Sequence, residues 1–165
     1  MTFLAHPLIA TGRKGTRRNI GKAGANQKSL RKVAPLHNIL VASSDRRERE
    51  YWSALLSHSG CSVLSVKDGE TALRAVRDDH IDIVVAAVEM SKLDGLELLR
   101  EISQLSRPPA VILIAKGGSE MDRIYLKVGK LYGAAAIYTQ PLDPREFISG
   151  VRAALGGGDI GLVER

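Results

Sequence analysis

Residues 81–95 read IDIVVAAVEMSKLDG. Ile83 to Val88 are apolar without a break. The run is too short for a solitary helix and lacks period-two alternation, which predicts a strand buried on both faces, as in a parallel sheet. Asp94-Gly95 then opens a helical pattern. In an open parallel α/β sheet, chemistry sits where strands end and the next helices begin. At that place this chain offers Ala87, a methyl group.

The same alternation extends in both directions. Ile39-Leu40-Val41-Ala42 reads as a first strand, and Ser43, Ser44 and Asp45 lead into a helix with Trp52, Leu55 and Leu56 at inward spacing. Asp45 and Glu48 have capping-box spacing. Ser62 to Val66 reads as the second strand, and Asp68-Gly69 turns into a helix with Ala72, Leu73 and Val76 inward. After Asp94, Leu98, Leu99, Ile102 and Leu105 face inward. Pro108-Pro109 breaks the chain before a fourth strand, Val111 to Ile114. Lys116-Gly117-Gly118-Ser119 reads as a loop, and Ile124, Val128 and Leu131 mark a fourth helix that Gly133 ends. Ala134 to Tyr138 reads as the fifth strand. Asp143 as N-cap, Pro144 at N1 and Glu146 at N3 start a last helix lined by Phe147, Ile148, Val151 and Leu155. Five strand–helix units predict parallel strands, right-handed crossovers and helices on both faces of one sheet.

Length and composition agree. A chain of 165 residues, 44% hydrophobic and 25% charged, has room for one domain with a real core. Cys61 is alone, which excludes a disulfide framework within the chain and reads as a small buried hydrophobe. No apolar run approaches the ~20 residues of a membrane span. A cytoplasmic protein is the expectation. His6, His37, His58 and His80 are scattered without ligand spacing, so no metal is expected, and no cofactor.

The net charge of +6 is unevenly placed. Arg13, Lys14, Arg17, Arg18, Lys22, Lys28, Arg31 and Lys32 stand in residues 1–36 with no acid among them. The other sixteen basic residues face all eighteen acids, leaving the remainder at −2. With several glycines and no sustained apolar face, residues 1–36 read as a disordered basic extension suited to an anionic partner: nucleic acid, a membrane surface or an acidic protein face. No aromatic residue interleaves with the charges, so stacking on single-stranded bases has no support. Residues 157–165 read as a short flexible end.

Residues 37–156 resemble the receiver domain of bacterial two-component response regulators, the CheY-like family. NILVASSD at 38–45, VKDGETAL at 66–73, IDIVV at 81–85, MSKLDGLELLREI at 90–102, VILIA at 111–115 and YTQPLDPREF at 138–147 carry the resemblance. It implies a flavodoxin-like, doubly wound five-stranded sheet of order 2-1-3-4-5. The interval from Ala115 to Gly133 is longer than the family's, which puts an insertion near the KGGS loop or the fourth helix. The family transfers a phosphoryl group to an Asp at the end of the third strand, with Mg²⁺ held by two acids after the first. A Thr or Ser after the fourth strand and a Lys after the fifth bind the phosphoryl oxygens. By this resemblance the nucleophile position matches Ala87, the acid pair Ser43 and Ser44, the hydroxyl Ala115, the Lys Gln140 and the aromatic switch position Ile137. An alanine cannot form an acyl phosphate, and Mg²⁺ needs oxygen ligands that a site without carboxylates supplies poorly. Asp45 reads as a helix cap, and Glu89 as a solvated loop residue and not a substitute nucleophile.

Three functions follow. The first is a pseudo-receiver, not an enzyme, that works by protein–protein interaction without phosphotransfer, with a homodimer left open. The second is a small-ligand or nucleotide-binding domain in the remodelled cleft, using Ser43, Ser44, Gln140 and the Gly117-Gly118 loop. The third is a nucleic-acid-binding protein acting through its tail. Tyr125, Tyr132 and Tyr138 cluster in the fourth helix and fifth strand, a candidate interaction face because tyrosine adds contact area at little entropic cost.

Overall fold

The computed structural model describes residues 36–156. The basic extension up to residue 35, the short end from residue 157, and every expectation placed on them lie outside the described residues. The described chain alternates β1 (Asn38–Ala42), α1 (Arg46–His58), β2 (Ser62–Val66), α2 (Gly69–Asp78), β3 (Ile83–Ala87), α3 (Gly95–Ser103), β4 (Ala110–Ala115), α4 (Glu120–Leu131), β5 (Ala136–Thr139) and α5 (Pro144–Ala154). All strand pairs are parallel, in the order β2-β1-β3-β4-β5.

The central strand is buried throughout, as an apolar run flanked by two neighbours requires. Successive residues alternate between faces. Ile83 and Val85 join Ile39, Val41, Ile112 and Ile114 in one cluster, closed by Trp52 and Leu56 of α1 and Phe147 and Val151 of α5. Val84 and Ala86 join Leu40, Ala42, Val111 and Leu113 in the other, closed by Ala72 of α2 and Leu98, Leu99 and Ile102 of α3. Each such side chain contributes about 1.5–3 kcal/mol on burial. The two clusters fix the sheet, and thereby the position of every loop at its carboxyl edge.

One expectation needs correction. The fifth strand begins at Ala136, not Ala134. Ala134 N–H instead donates to Gly129 O at 2.9 Å, closing the end of α4. The spacing of Ile124, Val128 and Leu131 does mark α4, but not its buried side: Ile124 and Leu131 are 49% and 82% exposed. The buried residues of α4 are Asp122 and Gly129. A Cβ on Gly129 would stand 2.5 Å from Ile137 Cδ1, so α4 lies close on β5 through a residue that hydrophobic periodicity does not register.

At the amino edge, His37 and His80 are distant in sequence yet converge on Asp82. Their ring nitrogens lie 3.8 and 3.3 Å from its carboxylate, which also accepts Asn38 N–H at 2.8 Å.

Candidate functional site

The carboxyl edge of the sheet gathers the ends of all five strands. Ala87 closes β3 and Ala115 closes β4; both are buried methyl groups, 5% and 1% exposed. Beside them Ser43, 1% exposed, follows β1. Its hydroxyl donates to Glu48 Oε2 at 2.5 Å and accepts Asp45 N–H at 3.1 Å. Gln140, after β5, donates from Nε2 to Glu48 Oε1 at 2.9 Å. Ser44 Oγ accepts Ser91 N–H at 2.9 Å and so fixes the loop after β3. The structure therefore brings Ser43 and Gln140 onto one carboxylate and turns Ser44 toward the neighbouring loop.

Glu48 is the residue that sequence reasoning missed. Its capping-box spacing with Asp45 is real, and Asp45 accepts Arg47 N–H and Glu48 N–H as an N-cap. The reciprocal half is absent: Asp45 N–H goes to Ser43 Oγ, which leaves the Glu48 side chain free to reach across the site. The available signal was Gln140, a polar side chain at a strand end that needs an acceptor.

Other contacts tie the remaining loops together. Glu89 lies exposed in the loop after β3, with Lys116 Nζ 3.2 Å from its Oε2. The hydrogen bond to Glu89, then the charges of Glu89, Glu48 and Asp45, hold the Lys116 pKa above its ordinary value. Both partners are more than half exposed, and such pairs contribute little to stability. Asp68, only 1% exposed, caps α2 by accepting Thr71 N–H at 2.8 Å and receives Lys92 Nζ at 3.2 Å. These hydrogen bonds, led by the one from the Thr71 backbone, bring its pKa down to about 2. Lys92 adopts φ 69°, a left-handed backbone uncommon outside glycine.

The Gly117-Gly118 loop has a backbone explanation. Gly117 has φ 80°, and a Cβ there would stand 2.4 Å from Gln140 O. Arg49 Nη1 donates to the carbonyls of Ser43 and Ser44 at 2.6 and 3.1 Å. A groove of about 330 Å³ opens beside the bridge, lined by Tyr51, Trp52, Pro141 and Leu142 together with Arg47, Glu48 and Gln140. Among the described residues, no three His, Cys, Asp or Glu side chains come together to hold a metal ion. No helix among them is long and apolar enough to cross a membrane.

Ile137 is half-buried, pairs with Leu113 across the sheet and packs against the cluster on the α3 side. The three tyrosines do not share one face. Tyr125 packs with the same cluster, whereas Tyr138 packs on the opposite side, its ring edge-on to Phe147 at 5.9 Å and its hydroxyl donating to Glu146 O at 3.2 Å. Tyr132, the C-cap of α4, is 42% exposed. The exposed apolar side chains of α4 are instead Met121, Ile124 and Leu131.

A parallel sheet of order 2-1-3-4-5, with helices on both faces and its loops gathered at the carboxyl end of the central strand, defines the class as a flavodoxin-like receiver fold. The chain belongs to the response regulator receiver domain family, whose pattern matches residues 39–152. It is 35% identical over 120 residues to the transcriptional regulatory protein CpxR of Klebsiella pneumoniae subsp. pneumoniae (strain HS11286), covering 73% of this chain and 50% of that protein. Against CpxR of Escherichia coli (strain K12) the identity is 33% over 120 residues, with 73% and 50% covered. The chain thus spans about half the length of the curated relatives it matches. Among solved structures it is similar to a response regulator receiver domain protein from Clostridium thermocellum, with TM-score 0.67, 24% identity, and 77% of this chain and 100% of that chain covered. It is also similar to the chemotaxis response regulator CheY4 of Vibrio cholerae, with TM-score 0.64, 19% identity, and 72% and 98% covered.

Proposed function

We propose that this chain is a receiver-like regulatory module that acts by protein–protein contact and takes no phosphoryl group. Ala87 carries the proposal. At the carboxyl end of β3, where the family resemblance puts the phosphoacceptor, it offers a methyl group, and phosphoryl transfer to a side chain needs a nucleophilic oxygen. The surrounding groups support the same conclusion. Ser43 and Ser44 stand where the resemblance expects acids, and their hydroxyls are already hydrogen-bonded. Asp45 is engaged as a cap and Glu48 by Ser43 and Gln140. Mg²⁺ takes a set of oxygen ligands that includes one or two carboxylates, and these residues do not fit it. The module is therefore proposed as a non-enzyme whose signal passes by contact.

The test is intact mass after incubation of the full chain with Mg²⁺ and a small acyl phosphate. No gain is expected, and a stoichiometric gain of one phosphate overturns the proposal. Ala87→Asp alone is expected to gain nothing either, since it restores neither the acid pair nor the Lys.

A basic second contact rests on residues 1–36, with eight Lys and Arg and no acid. Replacing Arg13, Lys14, Arg17 and Arg18 with Gln should weaken any anionic partner. A steep log–log salt dependence identifies nucleic acid, through counterion release; a gentler one identifies an acidic protein face. Unchanged affinity at physiological salt removes the tail from the interaction. The small-ligand alternative has less support, because Ser43, Ser44 and Gln140 are engaged within the chain.

A further inference from the structure

β1 and β5 are not neighbours: β3 and β4 lie between them, so no backbone ladder couples their ends. Glu48 couples them by another route. From the first turn of α1 its carboxylate takes one hydrogen bond from each side, Ser43 Oγ at 2.5 Å after β1 and Gln140 Nε2 at 2.9 Å after β5. We infer that Ser43 and Gln140 form a carboxylate-binding site at the carboxyl edge of the sheet, occupied in cis by Glu48, and that this internal ligand ties the β1 and β5 ends together.

The chemistry of each partner fits an ionised carboxylate. Ser43 is 1% exposed and its oxygen already accepts Asp45 N–H, so its proton needs a buried acceptor. An ionised carboxylate only accepts, so Gln140 must turn its amide nitrogen toward it. Charge-assisted bonds of this kind are roughly twice as strong as neutral ones. Lys116 feels the same charge: Glu48 is among the groups that raise its pKa. The bridge stands apart from phosphoryl transfer, because both donors are satisfied by a group the chain itself carries.

Access is also built in. Glu48 and Gln140 both line the groove of about 330 Å³ beside α1, so a small anion can reach the place that Glu48 would vacate. The ligand class that the vacated place accepts is a small carboxylate.

The experiment uses the full chain with Glu48→Ala. Loss of the two bonds is expected to lower the melting temperature by about 4–10 °C. Sodium formate should then raise the melting temperature of E48A more than sodium chloride at matched ionic strength, while the unsubstituted chain responds alike to both salts. An E48A variant that melts with the unsubstituted chain overturns the inference, as does one that gains no more from formate than from chloride. Gln140→Glu gives a second readout. It sets two carboxylates side by side, so the pKa of the pair rises, and the loss in melting temperature should be largest at neutral pH and shrink as pH falls toward 4. A loss that does not vary with pH means that residue 140 only fills space, and the site is then wrong.

Discussion

Lys92 Nζ lies 3.2 Å from Asp68 Oδ2, joining the loop after β3 to the cap of α2 across 24 positions of sequence. The acid is buried and the lysine half-exposed, so the contact is a capped carboxylate with a cation at its open side. The fold favours the ionised form of Asp68: its pKa stands at about 2, below the ordinary 3.8. The sign of the pH effect follows. Stabilisation by Asp68 is complete above about pH 4 and is lost as pH falls through about 2. Asp68→Asn keeps a good N-cap but removes the charge. Its melting temperature, compared with that of the unsubstituted chain from pH 6 down to pH 2, should lie lower at pH 6 and converge in acid. A constant difference across that range would refute the ionic contribution.

Gly95 meets the backbone where Gly129 meets only the side chains of Ile137 and Leu113. A Cβ on Gly95 would stand 2.4 Å from Ala87 O and 2.9 Å from Val88 Cα, and neither can move without shifting the end of β3. A Cβ on Gly129 would meet the tips of Ile137 at 2.5 Å and Leu113 at 3.2 Å, the far ends of flexible side chains. Gly95→Ala should therefore lower stability by about 1–3 kcal/mol even though alanine suits a helix better. Gly129→Ala should cost less, because repacking and helix propensity offset each other. Urea denaturation of the two variants checks the order; equal costs would mean that α3 can slide away from β3.

These two glycines also mark how far the sequence could be followed. The apolar run at Ile83 to Val88 admits few alternatives to a doubly buried strand, and the structure has β3 buried at every residue. Asp94 and Asp143 announce helix starts through chemistry local to a few residues, and both cap as expected. The inward side of α4 was illegible because Gly129 has no side chain to contribute to a hydrophobic pattern, and Asp122 is buried by its reciprocal cap with Ser119. Ile124 and Leu131 mark the helix by their spacing yet stand on its exposed side. At the site, Ala87 could be located from the end of an apolar run, and Ser43, Ala115 and Gln140 through the resemblance to receiver domains. Glu48 could not: its partner Gln140 is 92 positions away, and a nearer role as a capping residue explained its spacing.

The exposed apolar side chains of α4 are Met121, Ile124 and Leu131, not its tyrosine Tyr125. Leu131 is 82% exposed and packs on nothing that its removal would open. Leu131→Glu should therefore leave stability within about 0.5 kcal/mol of the unsubstituted chain. Tyr138 is half-buried, edge-on to Phe147, with its ring over Gly150, where a Cβ would stand 1.8 Å from the tyrosine hydroxyl. Tyr138→Ala should cost a substantial part of the about 3–5 kcal/mol seen for fully buried aromatic residues. Tyr138→Phe, which loses only the hydrogen bond to Glu146 O, should cost about 0.5–1.5 kcal/mol. Urea denaturation of the three variants gives the ranking. Leu131→Glu is then a clean probe of partner binding, since any affinity it removes cannot be charged to unfolding, whereas a Tyr138 variant confounds the two. If Leu131→Glu unfolds at much lower urea, Leu131 is covered in solution, and the exposed apolar side of α4 is already an interface between copies of the chain.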